Sequence, residues 1–379
     1  MRFSRLKHKR IYVWLGTIAI LVGLATFLYI FQQVEKPVLV NTGGRTFENA
    51  TVLDILEDNM QENGMRIGDQ KVRLQIDSGA LAGKTVEATS ANGFLFGAAC
   101  TVGGNVVAIV SLAGDSQMVT VYSVNRALPI YAFIVFFLLS LCVIGGKKGM
   151  KSAGALIFTM VCIVYLFLPM LVRGISPFLA ASITAVVTVT VSLSLIGGLN
   201  RKTLAAILGT FFGVVIAGTA AAVFGYFANI SGYNVSNIEA LLFVGQNTKI
   251  DIGGLLFAGV LIATLGAVMD IAMDIAAAVS EVHDKTPQLT RRQLFESGMN
   301  VGRDIMGTMA TTLILAFTGS SLGILVLNYV YDLPYRQVLN SNSMGIEIMQ
   351  GISGSLGVVF TVPMVAVMAA LLLKKNSAE

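Results

Sequence analysis

Two regimes of hydropathy alternate along the chain. Long apolar runs, each near the ~20 residues a helix needs to cross a ~30 Å hydrocarbon core, are joined by short polar links. The runs are Ile11–Phe31, Leu128–Gly145, Ser152–Met170, Phe178–Ile196, Leu204–Ala228, Leu255–Ser280, Ile305–Tyr329 and Gly354–Leu373. They predict a mainly α membrane protein with a bundle of about eight transmembrane helices. Only Pro37–Asn125 is polar over a long stretch, and there the period changes from helical to alternating, most clearly in Lys71-Val-Arg-Leu-Gln-Ile-Asp77. Strands are predicted at Thr46–Leu56, Lys71–Asp77, Lys84–Thr89, Asn105–Ala113 and Met118–Val124, with glycine-bearing turns such as Ser78-Gly-Ala-Leu-Ala-Gly-Lys84 between them. Short strands at this spacing predict a small closed β-barrel, OB-like, inserted between the first and second helices. The chain thus divides into a basic tail and first helix (1–33), an extracytoplasmic β domain (34–126) and a bundle of about seven further helices (127–379).

The polar links predict less structure. Asn229–Gly253 and Tyr331–Ile352 read as connecting segments, and Glu281–Arg303 reads as an amphipathic helix lying along the membrane surface. Gly209-x-x-x-Gly213 and the glycine-rich run Gly351–Gly357 predict close helix packing, and Pro363 a kink in the last span.

Composition agrees with the pattern. Charged residues make up 12% and hydrophobic ones 55%, against about 25% charged in soluble domains. The formal charge of +5 does not point to nucleic acid. Its lysines and arginines sit at the ends of the apolar runs, and the β segment shows no aromatic-and-basic stripe. Arg2, Arg5, Lys7, Lys9 and Arg10 precede the first run, and Lys147, Lys148, Lys151, Arg201, Lys202, Lys285, Arg291, Arg292, Lys374 and Lys375 fall on the same side of an eight-span chain. The opposite links hold only Arg173, Lys249 and Arg336. This asymmetry predicts both termini in the cytoplasm and the β domain outside. The first run is expected to stay as an anchor, because it is long for a signal peptide and Gln32–Lys36 has no small-x-small site. Three cysteines and two histidines make no disulfide framework or histidine metal site. No nucleophile elbow, zinc-protease, Walker or dinucleotide-binding motif is present, so no enzymatic reaction and no cofactor are expected.

The candidate chemistry lies inside the sixth run, Gly266-Ala-Val-Met-Asp-Ile-Ala-Met-Asp-Ile-Ala-Ala-Ala-Val-Ser-Glu281. Asp270 and Asp274 are four residues apart and share a helix face with Gly266, Ala277 and Glu281. A carboxylate at mid-bilayer costs about 2.5–3.5 kcal/mol on the most lenient scale, so it persists where it meets a cavity, a partner helix or a proton path. The seventh run carries a matching polar face of Asn300, Asp304, Thr308, Thr311 and Thr318, with Gly307 beside it. If the faces meet, Asp270, Asp274 and Asp304 share a polar pocket that could exchange a proton or hold a cation whose identity the residues do not specify. The alternative is structural: the threonines bond to their own helix, Asp304 caps the seventh helix, and Met269 and Met273 pack.

Over Gly266–Glu281 and Glu296-Ser-Gly-Met-Asn-Val-Gly-Arg-Asp-Ile-Met-Gly-Thr-Met309, the chain resembles the YibE/F family of bacterial multi-pass membrane proteins. Ala50–Glu57 and Arg66–Val72 carry the likeness into the β segment. The resemblance implies a bacterial plasma-membrane protein and brings no catalytic residue with it. The order of anchor, outer domain, acidic helix and Thr-rich helix is similar in a looser way to SecDF and resistance-nodulation-division transporters, from which about eight spans and one outer domain depart. Two functions follow as expectations. One is a proton- or ion-coupled transporter or translocation factor with Asp270, Asp274, Asp304 and Glu281 as coupling residues and an unknown ion or small molecule as substrate. The other is a non-transporting scaffold or assembly factor, a homo-oligomer or the holder of a protein partner at its outer domain.

Overall fold

A computed structural model of the protein describes residues 26, 29–35, 37–39, 43–59, 61, 67–91, 97–113, 116–235 and 238–374. The chain forms two compact units, 38–140 and 141–379 together with 1–37. Most of the first apolar run lies outside the described residues.

In the smaller unit, β1 (Arg45–Glu57), β2 (Gln70–Ile76), β3 (Thr85–Ser90), β4 (Asn105–Ala113) and β5 (Ser116–Val124) close into a barrel in the order β1-β2-β3-β5-β4. Each observed strand starts and stops within two residues of its expected range. The alternation in β2 has the predicted meaning: Val72, Leu74 and Ile76 are fully buried while Lys71 and Gln75 are exposed. Ala50 and Val52 of β1 and Val106, Ala108 and Val110 of β4 complete the core. Pairing of β1 with both β2 and β4 is antiparallel, with a register shift near Val52–Asp54 that bends the long strand. Gln70 is buried but satisfied: its Oε1 accepts from Cys100 N at 2.9 Å and its Nε2 donates to Cys100 O at 3.2 Å. Ser90 holds Ala98 in the same way, at 2.7 and 2.8 Å. Two buried polar side chains thus stitch residues 97–100 onto the barrel in place of a strand.

The larger unit is helical. Helix α1 (Ala127–Cys162) is interrupted at Gly146, whose φ of 53° and ψ of −132° are not helical. A π-helical stretch Ile163–Phe167 and α2 (Leu168–Val172) continue it. Then come α3 (Pro177–Gly197), α4 (Arg201–Ala228), α5 (Ile238–Asn247), α6 (Leu255–Lys285), α7 (Arg291–Ser320), α8 (Leu322–Val330), α9 (Tyr335–Leu339) and α10 (Asn342–Leu373). Among the described residues five helical stretches are long and apolar enough to cross a membrane, or six with the bent pair α7–α8 counted as one span.

Three expectations about the links are corrected. Glu281–Arg303 is not a surface helix: residues 281–285 finish α6, and α7 begins at Arg291. Thr290 fixes that start, accepting from Gln293 N at 3.2 Å while the Gln293 side chain accepts from Thr290 N at 2.8 Å, a reciprocal cap. Asp304 lies well inside α7 and caps nothing. Asn229–Gly253 contains the short helix α5, and Tyr331–Ile352 contains α9 and the first turns of α10, which Ser341 caps by accepting from Met344 N at 3.3 Å.

Small residues bring the helices together, as the glycine spacing predicted. A Cβ at Gly209 would lie 2.0 Å from Val365 of α10, and one at Gly213 would lie 1.8 Å from the Thr361 hydroxyl. A Cβ at Gly354 or Gly357 of α10 would lie 2.6 Å from Leu313 of α7 or 2.8 Å from Ala217 of α4. Helix α10, with Pro363 inside it, therefore packs among α4, α6 and α7. At one end of the bundle Lys374 donates to the carbonyls of Leu289 and Gln288, and Arg291 and Arg201 donate to Lys374 O and Leu372 O. Arg173 donates to Phe31 O at 2.8 Å and lies 3.8 Å from that ring's centre, which ties the end of the first run to the α2–α3 link.

Candidate functional site

Helix α6 has a closed side and an open side. Val268, Ile271, Ala272, Ile275, Ala276 and Val279 are completely buried. On the other side Gly259, Ala263, Gly266, Asp270, Asp274 and Glu281 are exposed, with Ala277 half-buried among them. Nothing lies within 4 Å of where a Cβ would stand at Gly259 or Gly266. The two aspartates therefore occupy a face lined by the smallest side chains of the span. At one helical turn's separation their Cβ atoms are ~5–6 Å apart. Glu281 belongs to the stripe but is engaged elsewhere, in an exposed ion pair with Lys285 at 2.9 Å.

The polar face of α7 is also exposed: Asn300, Asp304, Gly307, Thr308, Thr311 and Thr318. Its hydroxyls turn inward onto their own helix, Thr308 to Ile305 O, Thr311 to Gly307 O and Thr318 to Ile314 O, each at 2.8 Å. Asn300 accepts from Arg303 at 3.3 Å. The packed face of α7 is a different one. A Cβ at Gly298 would meet Val279 and Ala366, and one at Gly302 would meet Val362 and Ile275. Ile275 and Val279 stand roughly 100–180° around α6 from Asp270 and Asp274. The contact between α6 and α7 therefore uses neither polar stripe, and Asp304 is not drawn into a pocket with the aspartate pair there. Among the described residues no three acidic, histidine or cysteine side chains are grouped for a metal ion.

What adjoins the aspartates is a groove of about 350 Å³ between residues 152–163, α3 and α6. Ala263, Gly266 and Met269 form its α6 wall, and Thr159, Thr184, Thr188 and Ser192 supply hydroxyls on the other walls. Thr159 Oγ1 and Ser192 Oγ approach to 3.4 Å. Asp270 follows Gly266 by one turn, so the acidic pair continues the line of the groove wall. Met269 and Met273 pack against the bundle core, and Met273 fills the space beside Gly197, as expected for packing residues.

One acidic residue escaped the sequence reading. Glu347 lies in the second turn of α10, and its Oε2 is buried with no hydrogen-bond partner. The polarity of Tyr331–Ile352 disguised the start of a helix. Ser341 ahead of the apolar periodic run was the available signal.

No curated protein and no solved structure matches the chain. A family model, described as YibE/F-like protein, matches residues 133–375. That range takes in the acidic face of α6 and all of α7 and α10, whereas the barrel precedes it. With the match extending over more than half of the chain, the protein belongs to the YibE/F-like family.

Proposed function

We propose that this protein is a proton- or ion-coupled transporter of the bacterial plasma membrane, in which Asp270 and Asp274 take up and release the coupling ion. The observation that carries the reading is the placement of two carboxylates on the open, small-residue face of a span whose other side is completely buried. A face made only for lipid would not keep two charges at such cost, whereas a transport path needs them reachable. The groove beside Gly266 adds the hydroxyls of Thr159, Thr184, Thr188 and Ser192, set in otherwise apolar walls, on the line of that face.

In this reading the chain makes eight passes with both ends in the cytoplasm. The stretch 127–172 holds 46 residues, far more than one pass requires. Gly146 breaks it beside Lys147, Lys148 and Lys151, where a cytoplasmic turn would fall. The barrel lies outside, and its strand order supports an OB-like topology.

The test is paired measurement of flux in proteoliposomes and melting temperature in detergent. Asp270→Asn and Asp274→Asn are expected to lose proton or cation flux while folding normally, because asparagine keeps the shape but cannot exchange a proton. Flux that survives both substitutions overturns the coupling role. A scaffold remains the second reading, favoured by the unfilled Gly259–Ala263–Gly266 face, which suits a docked helix. It is adopted if wild-type vesicles show no flux and the Asn variants melt as wild type while Ala variants melt lower.

A further inference from the structure

We propose that a monovalent metal cation binds where the seventh span breaks, between α7, α8 and α10, with Glu347 as its one charged ligand. The site is separate from the aspartate pair and does not rest on the transport reading.

Helix α7 ends at Ser320, and α8 leaves it at 63°. Ser321, at the joint, is buried, and its N–H is shared between Phe317 O and Thr318 O at 3.2 Å each. Oxygens at breaks of this kind hold cations in other membrane folds; here the Phe317 and Thr318 carbonyls are taken by Ser321 and α8 starts at the same joint, so the oxygens on offer are those of side chains. Here the joint opens on a cavity of about 300 Å³ walled mainly by aliphatic and aromatic side chains, with Thr318, Ser321, Ser343 and Glu347 as its polar lining.

Among the described residues Glu347 is the only charged one lining the cavity, and its Oε2 is buried and unpartnered. A carboxylate oxygen left so costs several times an ordinary hydrogen bond, which a ligand can recover. The surroundings therefore offer one negative charge and hydroxyl oxygens. Calcium sites gather several carboxylates among six to eight oxygens. A single carboxylate with neutral oxygens balances a single positive charge, which selects a monovalent ion. The cavity has a floor, because Gly351 approaches Ile314 and Ser355 donates to Ala310 O at 3.4 Å one turn further along. Lys374 and its cluster are at the other end of α10, so the site lies in the half of the bundle remote from them.

The experiment melts the full-length protein in detergent at fixed pH and ionic strength, in lithium, sodium, potassium or choline chloride. Choline is too large to be coordinated. At least one metal ion is expected to raise the midpoint by about 2–5 °C at saturation over choline. Asp270→Asn should keep that shift, and Glu347→Gln should lose it. Maleimide labelling of Ser343→Cys, which leaves Glu347 intact, should slow at least three-fold in the stabilising ion, and this readout stands if Glu347→Gln does not fold. Equal melting in all four salts overturns the proposal, as does a shift that persists in Glu347→Gln or labelling indifferent to the ion. Higher stability of Glu347→Gln in choline without any metal effect also overturns it, since Glu347 would then be a neutral buried acid.

Discussion

Asp270, Asp274 and Asp304 are alike in sequence, all on polar helix faces of apolar runs, yet the structure separates their surroundings. The first two continue the wall of the groove between residues 152–163, α3 and α6, and Asp304 stands on an exposed α7 face that contributes nothing to that groove. Asp304→Asn is therefore expected to keep its flux and its melting temperature in the assays that silence the α6 pair; loss of flux equal to theirs would place Asp304 in the path. The cap of α7 belongs instead to Thr290, so Thr290→Ala should cost about 1 kcal/mol, with Thr290→Ser restoring most of it. Denaturation in mild detergent reads that difference. Helix periodicity could place each side chain on a face, but which face packs depends on neighbours distant in sequence. That is why the acidic stripe was legible and its relation to α7 was not.

At the scale of elements, the bundle is assembled through glycines that have become contact points, and glycines on different helices are not equivalent. Gly213 has the Thr361 hydroxyl and Val268 within 2.7 Å of where a Cβ would stand, whereas Gly266 has nothing within 4 Å. Gly213→Ala should lower the melting temperature markedly, by the 1–3 kcal/mol typical of overpacking, and Gly266→Ala should leave it unchanged or slightly raised. Equal effects would mean that the open face of α6 is covered. The small-xxx-small spacing announced the first contact without naming α10 as the partner. The runs Phe178–Ile196, Leu204–Ala228 and Leu255–Ser280 match α3, α4 and α6 to within five residues, because hydropathy governs them directly, whereas α7 and α10 start more than ten residues before theirs. The links were not readable: their polar residues form the first and last turns of long helices, and polarity there reports the level of the membrane surface, not the end of the helix. The same effect hid Glu347.

The whole molecule joins two units whose folding rules differ. The barrel buries an apolar core in water and satisfies its buried Gln70 and Ser90 internally. An excised segment 38–126 is expected to be soluble and monomeric, with a cooperative melt. In that segment Gln70→Leu should destabilise by about 1–3 kcal/mol, through loss of both bonds to Cys100. An uncooperative or helical segment would refute its autonomy. The proposed topology is checked in cells: Lys84→Cys should react with an impermeant maleimide directly, and Lys148→Cys only after permeabilisation. Closure of the barrel bears on what this unit can recognise. The sheet runs β1-β2-β3-β5-β4 and back to β1, but its closure is uneven: β3 and β5 meet at a single parallel bridge, Thr89–Thr120, where the other neighbours pair over six residues or more. Along the paired strands an extended peptide finds no room for backbone-to-backbone addition, which reads shape with little regard for side chains. A partner there must be gripped by side chains and turns, so recognition would be exacting about the partner's chemistry, and backbone addition is left to the β3–β5 seam.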